Sequence, residues 1–117
     1  MGLDQYAYRR AKGVKRDDMQ QIAYWRKHNR LQGWMEARWR AKGKPEEAVF
    51  NCVTLRLKKK DLEELAVDII TDNLPKTEGF FFGDDSKDYY MKEDLLFVTD
   101  SLRAIQAGDK IYYDSWW

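Results

Sequence analysis

The sequence predicts an α+β fold: a small single domain over residues 1–117, with one mostly antiparallel sheet packed with about three helices. Three observations carry that prediction. A length of 117 residues is the size of one domain. Hydrophobic residues at 44% and aromatics at 15% supply one packed core, despite 35% charged residues. The apolar pattern also switches repeatedly between a period of two and a period near 3.6, so strands and helices alternate.

Leu3 to Arg10 (LDQYAYRR) reads as a first strand with Tyr6 and Tyr8 on one face, closed by Ala11-Lys12-Gly13. Asp17 and Asp18 suit a helix N-terminus, and the spacing after them predicts a long helix to about Ala41. Tyr24, Leu31, Met35 and Arg38 share one of its faces, and Ile22, Trp25, Trp34 and Trp39 widen the apolar side. Gly33 within it costs about 1 kcal/mol relative to Ala and predicts a kink or a close contact. After the polar break from Gly43 to Glu47, Phe50 to Lys58 alternates Val53, Leu55 and Leu57 against Thr54, Arg56 and Lys58, the pattern of a half-buried strand.

Asp61 to Asn73 places Leu62, Leu65, Ala66, Ile69 and Ile70 at helical spacing, with Pro75 just beyond. Gly79 to Gly83 (GFFFG) reads as a brief aromatic strand, followed by an acidic turn and by Tyr89-Tyr90 as the returning half of a hairpin. Lys92 to Ala107 aligns Leu95, Val98, Leu102 and Ile105 on a stripe that Gly108 terminates. Lys110 to Trp117 reads as a last strand, and an aromatic strand at each terminus invites the two to pair.

Several function classes drop out at this level. No apolar run approaches the roughly 18–20 residues that cross a bilayer, and the start lacks an export-signal pattern, so a cytoplasmic protein without a membrane partner is expected. Cys52 and His28 are the only residues of their kinds, which excludes an internal disulfide and a zinc site built from several Cys and His ligands. No Gly-rich phosphate loop or nucleophile elbow is present, so no cofactor is expected. Asp84, Asp85 and Asp88 cluster without the spacing of a calcium loop, and an acidic turn accounts for them. Cys52 reads as a buried structural thiol in mid-strand. His28 reads as a surface imidazole among Arg26, Lys27 and Arg30, with no partner nearby in sequence to make it a general base. No catalytic residues are assigned, and the chain is not read as an enzyme.

Two features are positive signals. The first is a charge asymmetry: 12 Lys and Arg against 4 Asp and Glu up to Lys44, then 9 against 16 from Pro45 onward. The second is a set of rings interleaved with cations and amides: Trp25, Arg26, Lys27, Asn29 and Trp34, with Phe82, Tyr90 and Tyr113. Such a set suits stacking on a planar ligand while its polar groups are fixed, although most of the rings also suit a core.

Four stretches also carry a resemblance: the start Met1-Gly2-Leu3-Asp4, the segment Tyr24-Trp25-Arg26-Lys27 with Asn29 and Trp34, the Gly79–Gly83 block with Tyr89-Tyr90, and the ending Tyr112-Tyr113-Asp114-Ser115-Trp116. Over nearly its whole length the chain resembles a family of small bacteriophage and prophage proteins with no established activity. The resemblance implies an accessory protein acting in the host cytoplasm. Relatives commonly carry a histidine where this chain has Gln32, so no histidine role transfers to that position. The glycolytic-kinase label of some members does not transfer either, since 117 residues without a nucleotide motif cannot build that chemistry.

The resulting expectation is a non-enzymatic binding protein that engages a host protein or a small metabolite through the eight residues of the ring set. The alternative is a nucleic-acid binder whose phosphate contacts are Arg9, Arg10, Lys12, Lys15, Arg16, Arg26, Lys27 and Arg30. Trp116 and Trp117 at the end of the chain add the expectation of a homodimer.

Overall fold

Tyr6 and Tyr8 alternate with Gln5 and Ala7 along a strand that sits inside a sheet and shows a different chemistry on each face. In the computed structural model, which describes residues 2–45, 47–75 and 90–117, this strand is β1 (Asp4–Arg10). It is followed by a short 3-10 turn (Arg16–Asp18), β2 (Gln20–Arg26), α1 (Asn29–Ala41), β3 (Thr54–Leu57), α2 (Lys59–Ile70), α3 (Met91–Gln106) and β4 (Lys110–Trp116). The sheet runs β2-β1-β4-β3 and every pairing is antiparallel. The chain is thus an α+β domain of a four-stranded antiparallel sheet and, among the described residues, three α-helices. The terminal strands pair along their full length, from Asp4 opposite Trp116 to Arg10 opposite Lys110.

The helices cover one face of the sheet. Ala7, Trp25, Leu55, Leu57, Ile111 and Tyr113 from the strands share a core with Leu31, Met35 and Trp39 of α1, Leu62, Leu65 and Ile69 of α2, and Phe97, Val98 and Ala104 of α3. Trp25 meets Phe97 edge to face at 5.0 Å between ring centres, and Phe50 stacks on Tyr113 at 6.2 Å. No helix among the described residues is long and apolar enough to cross a membrane.

Several expectations need correction. The long helix from Asp17 to Ala41 is instead a turn, a strand and a shorter helix, because residues 20–26 pair with β1. Ile22 and Trp25 stand three apart and so fit a helical stripe, yet Ile, Tyr and Trp also favour strands, and the β1 ladder decides between them. Lys27 then takes a left-handed φ of 62° and turns the chain into α1, within which Gly33 causes no interruption. The strand expected over Phe50 to Lys58 shrinks to Thr54–Leu57, because Cys52 is also left-handed, at φ 58°. That turn places Cys52 on the surface, not in the core. His28 is buried, not exposed. Of the expected hairpin from Gly79 to Tyr90 only Tyr90 is described, and it is the N-cap of α3 instead of strand; the rest of the hairpin, with the acids Asp84, Asp85 and Asp88 and with Phe82, lies outside the described residues. The second and third expected helices and the last strand form within two residues of their expected starts, and Gly108 ends α3 at φ 98°.

Candidate functional site

The ring set divides between the interior and the rim. Trp25, Trp34 and Tyr113 are buried at 2%, 5% and 0% exposure, and Asn29 is buried at the first turn of α1. Arg26 is exposed, while Lys27 and Tyr90 are half-buried. The buried members are tied into a polar network. Trp25 Nε1 donates to Asp94 Oδ1 at 2.9 Å, and His28 Nε2 sits 2.7 Å from Asp94 Oδ2. His28 Nδ1 accepts from the Leu31 amide at 3.5 Å as the N-cap of α1, which turns Nε2 toward Asp94. Tyr90 stacks on the imidazole at 4.2 Å between ring centres, and its hydroxyl donates to the Arg26 carbonyl.

Gln5 completes the network from β1. Its Nε2 donates to the His28 carbonyl and to the Tyr113 hydroxyl, both at 3.0 Å, and its Oε1 accepts from the His28 amide at 2.9 Å. Tyr113 in turn donates to Gln32 Oε1 at 2.6 Å, and burial pushes its phenol far above the usual range, so it stays a neutral donor. Trp34 Nε1 is satisfied by Asp68 at 2.8 Å. This network joins β1, β4, α1 and α3 and supports the sheet from beneath.

The other face of the sheet carries a different set. Residues opposite one another in register share a face, so Asp4, Tyr6, Tyr8 and Arg10 of β1 lie beside Arg26 and Tyr24 of β2, Trp116, Asp114, Tyr112 and Lys110 of β4, and Thr54 and Arg56 of β3. None of these residues belongs to the core under the helices. Tyr24 is 49% exposed and Trp116 57%, while Tyr6 and Tyr8 are half-buried. The Tyr6 ring lies 6.3 Å from Tyr8, nearly parallel at 21°, and 5.3 Å from Tyr24. The Tyr24 hydroxyl donates to Asp4 at 2.7 Å, which fixes its ring, and Arg16 lies over Tyr112 at 5.7 Å.

Four cations, Arg10, Arg26, Arg56 and Lys110, therefore frame a patch of rings that contains two carboxylates, Asp4 and Asp114. Burial raises the Asp114 carboxyl above its ordinary value, against the lowering effects of the Ser115 amide, the Thr54 hydroxyl and Arg16. Burial also raises the Tyr8 phenol, and the Asp114 charge adds to that rise. Rings held in rows among fixed cations can stack on bases and bind phosphates.

Of the cations expected to contact phosphate, Arg10, Arg16 and Arg26 lie on this face. Arg9 is instead held by Asp109, to which its Nε donates at 2.7 Å. The residues that the sequence reading missed are Tyr6, Tyr8, Tyr24 and Arg56. The pairing of Tyr6 with Tyr8 was visible in the strand pattern, but the identity of their face was not. Trp117, expected to seek a partner, bonds within the chain through Nε1 to the Phe50 carbonyl at 3.1 Å. Among the described residues no three His, Cys, Asp or Glu side chains gather into a metal-holding group. The chain matches no protein-family model, no curated protein and no solved structure.

Proposed function

We propose that this chain is a non-enzymatic binding protein for single-stranded nucleic acid, and that the strand lies across the face of its sheet that is helix-free among the described residues. The observation that carries this reading is the Tyr24-Tyr6-Tyr8 row, bordered by Arg26 at one end and by Arg10 and Lys110 at the other. Tyrosine faces stack on any base, and each stacked base contributes about 1–3 kcal/mol. A single strand offers free base faces, whereas a duplex hides them, so the arrangement favours single strands. Arginine adds bidentate contacts to phosphate oxygens. The sequence resemblance to phage and prophage proteins supports a setting in the cytoplasm of an infected bacterium.

The test is fluorescence anisotropy with labelled single-stranded DNA and RNA and their duplexes at low salt. Single strands bind tighter than duplexes, and Tyr24→Ala weakens them while the far-UV spectrum and melting temperature hold. No complex with any oligonucleotide at low salt overturns the reading.

A host protein as partner is the second reading, favoured by Val67 and Ile70 of α2 and Leu96 of α3, which stay exposed on the helical side. Under it, Ile70→Lys abolishes capture of a defined host protein and leaves oligonucleotide titrations unchanged.

A further inference from the structure

At one end of the helix-free face the turn after β1 and the turn before β4 enclose a pocket of about 330 Å³ lined by Arg10, Ala11, Lys12, Gly13, Gly108 and Lys110. Of these six described lining residues three are cations and none is an acid. Arg10 and Lys110 are direct cross-strand partners, an arrangement of like charges that destabilises a sheet unless something negative lies between them. None of the three cations makes an ion pair among the described residues. The acid at this corner, Asp109, is turned away to Arg9.

The pocket is also shaped locally. Arg10 Nε donates to the Val14 carbonyl at 2.7 Å, which fixes the guanidinium and leaves its terminal nitrogens to donate elsewhere. Gly13 and Gly108 both have left-handed backbones, at φ 83° and 98°, so the walls here are bare main chain without side chains to fill the space.

We infer that this pocket is a phosphate site and that it holds the terminal phosphate of the bound strand. Arg10 and Lys110 stand two residues beyond Tyr8 and Tyr112 on the same face, so the pocket lies at the end of the tyrosine row. The chain turns immediately past it and closes that end. A terminal phosphate carries about −1.5 to −2 charge at neutral pH and three acceptor oxygens, against one charge for an internal diester, and so suits three cations better. The pocket itself stands on its own geometry; the source of its phosphate rests on the single-strand reading.

The experiment uses the full chain and oligonucleotides of about ten nucleotides with a 5′-phosphate, a 3′-phosphate or hydroxyl ends. Inorganic phosphate and a nucleoside monophosphate are titrated in parallel while the Gly13 and Gly108 amide signals are followed by NMR. One phosphorylated end binds roughly tenfold tighter than the hydroxyl form, the weight of a charge-assisted contact. Lys12→Gln erases that preference and leaves the hydroxyl oligonucleotide within about threefold, whereas Tyr24→Ala weakens all three forms alike. Equal affinity for phosphorylated and hydroxyl ends, with glycine amides unmoved by phosphate, overturns the pocket while the stacking face stands. Phosphate-induced shifts without binding of any oligonucleotide support the pocket, make the free phosphate or mononucleotide its ligand, and overturn the single-strand reading.

Discussion

His28 and Asp94, 66 residues apart in the chain, meet with Nε2 and Oδ2 at 2.7 Å, and side-chain exposures of only 5% and 3%. The same carboxylate accepts from Trp25 Nε1, so one acid in the first turn of α3 satisfies donors from the turn before α1 and from β2. The interaction fixes the edge strand β2, and with it Tyr24 and Arg26, to the helical layer.

Asp94→Ala leaves two buried donors without an acceptor, and each such group costs about 1–3 kcal/mol. The expected loss is about 2–5 kcal/mol in urea unfolding, with native-like nucleic-acid affinity in the fraction that remains folded. Trp25→Phe removes only one of the two hydrogen bonds and is expected to lose less. A loss below about 0.5 kcal/mol for Asp94→Ala would show that the network contributes little to the fold.

Arg26→Gln and Arg56→Gln each remove one cation from the helix-free face. The logarithmic salt dependence of single-strand binding is expected to flatten by about 0.7 for each phosphate that is no longer neutralised. Arg38→Gln, on the helical side, is the control. A slope unchanged by both face variants would place the phosphate backbone elsewhere.

Asp114 opposes an anionic ligand on that face. Its raised carboxyl value means that its charge penalises the folded state as pH rises through that value, and that the penalty is absent below the ordinary carboxylate range. Asp114→Asn is therefore expected to strengthen oligonucleotide binding by about threefold at neutral pH, and by less as the wild-type carboxyl protonates. Titrations over a pH series from neutral down into the acid range check this; an affinity gain that never shrinks as pH falls would exclude the charge as its cause.

Asp61 behaves with the opposite sign. Burial alone would raise its carboxyl, but the Lys58 amide, Lys42 and Arg38 outweigh burial and hold it below the ordinary value. Its Oδ2 accepts from Lys58 N at 2.8 Å and Lys42 Nζ at 2.9 Å, which joins the start of α2 to the end of α1. The stability it contributes is present above the ordinary carboxylate value and is lost as pH falls through the lowered one. Asp61→Asn is expected to cost about 1–3 kcal/mol at pH 7, and the gap to wild type should close in the acid limb of a pH series of unfolding curves.

The parts of this protein legible in its sequence are those set by short-range repetition. Leu62, Leu65 and Ile69 mark α2, Val98 and Leu102 mark α3 with Gly108 behind it, and the alternation of Tyr6 and Tyr8 with Gln5 and Ala7 marks β1. Residues 20–26 were not legible as a strand, because seven residues fit either period and only the partner strand chooses between them. Cys52 was misplaced for a related reason: a single left-handed residue interrupts an apparent alternation without leaving a Gly or Asn at that position to announce it.

By itself, then, the order of residues determined the class of fold and most of its helices, since periodicity and composition act over a few turns of chain. Tertiary structure alone decided that His28 is buried against Asp94, that Trp25, Trp34 and Tyr113 form core, and that three tyrosines of β1 and β2 face away from the helices. Each of these depends on which side of the sheet the helices cover. That choice is made by burial of distant apolar surfaces against one another, and no local pattern encodes it.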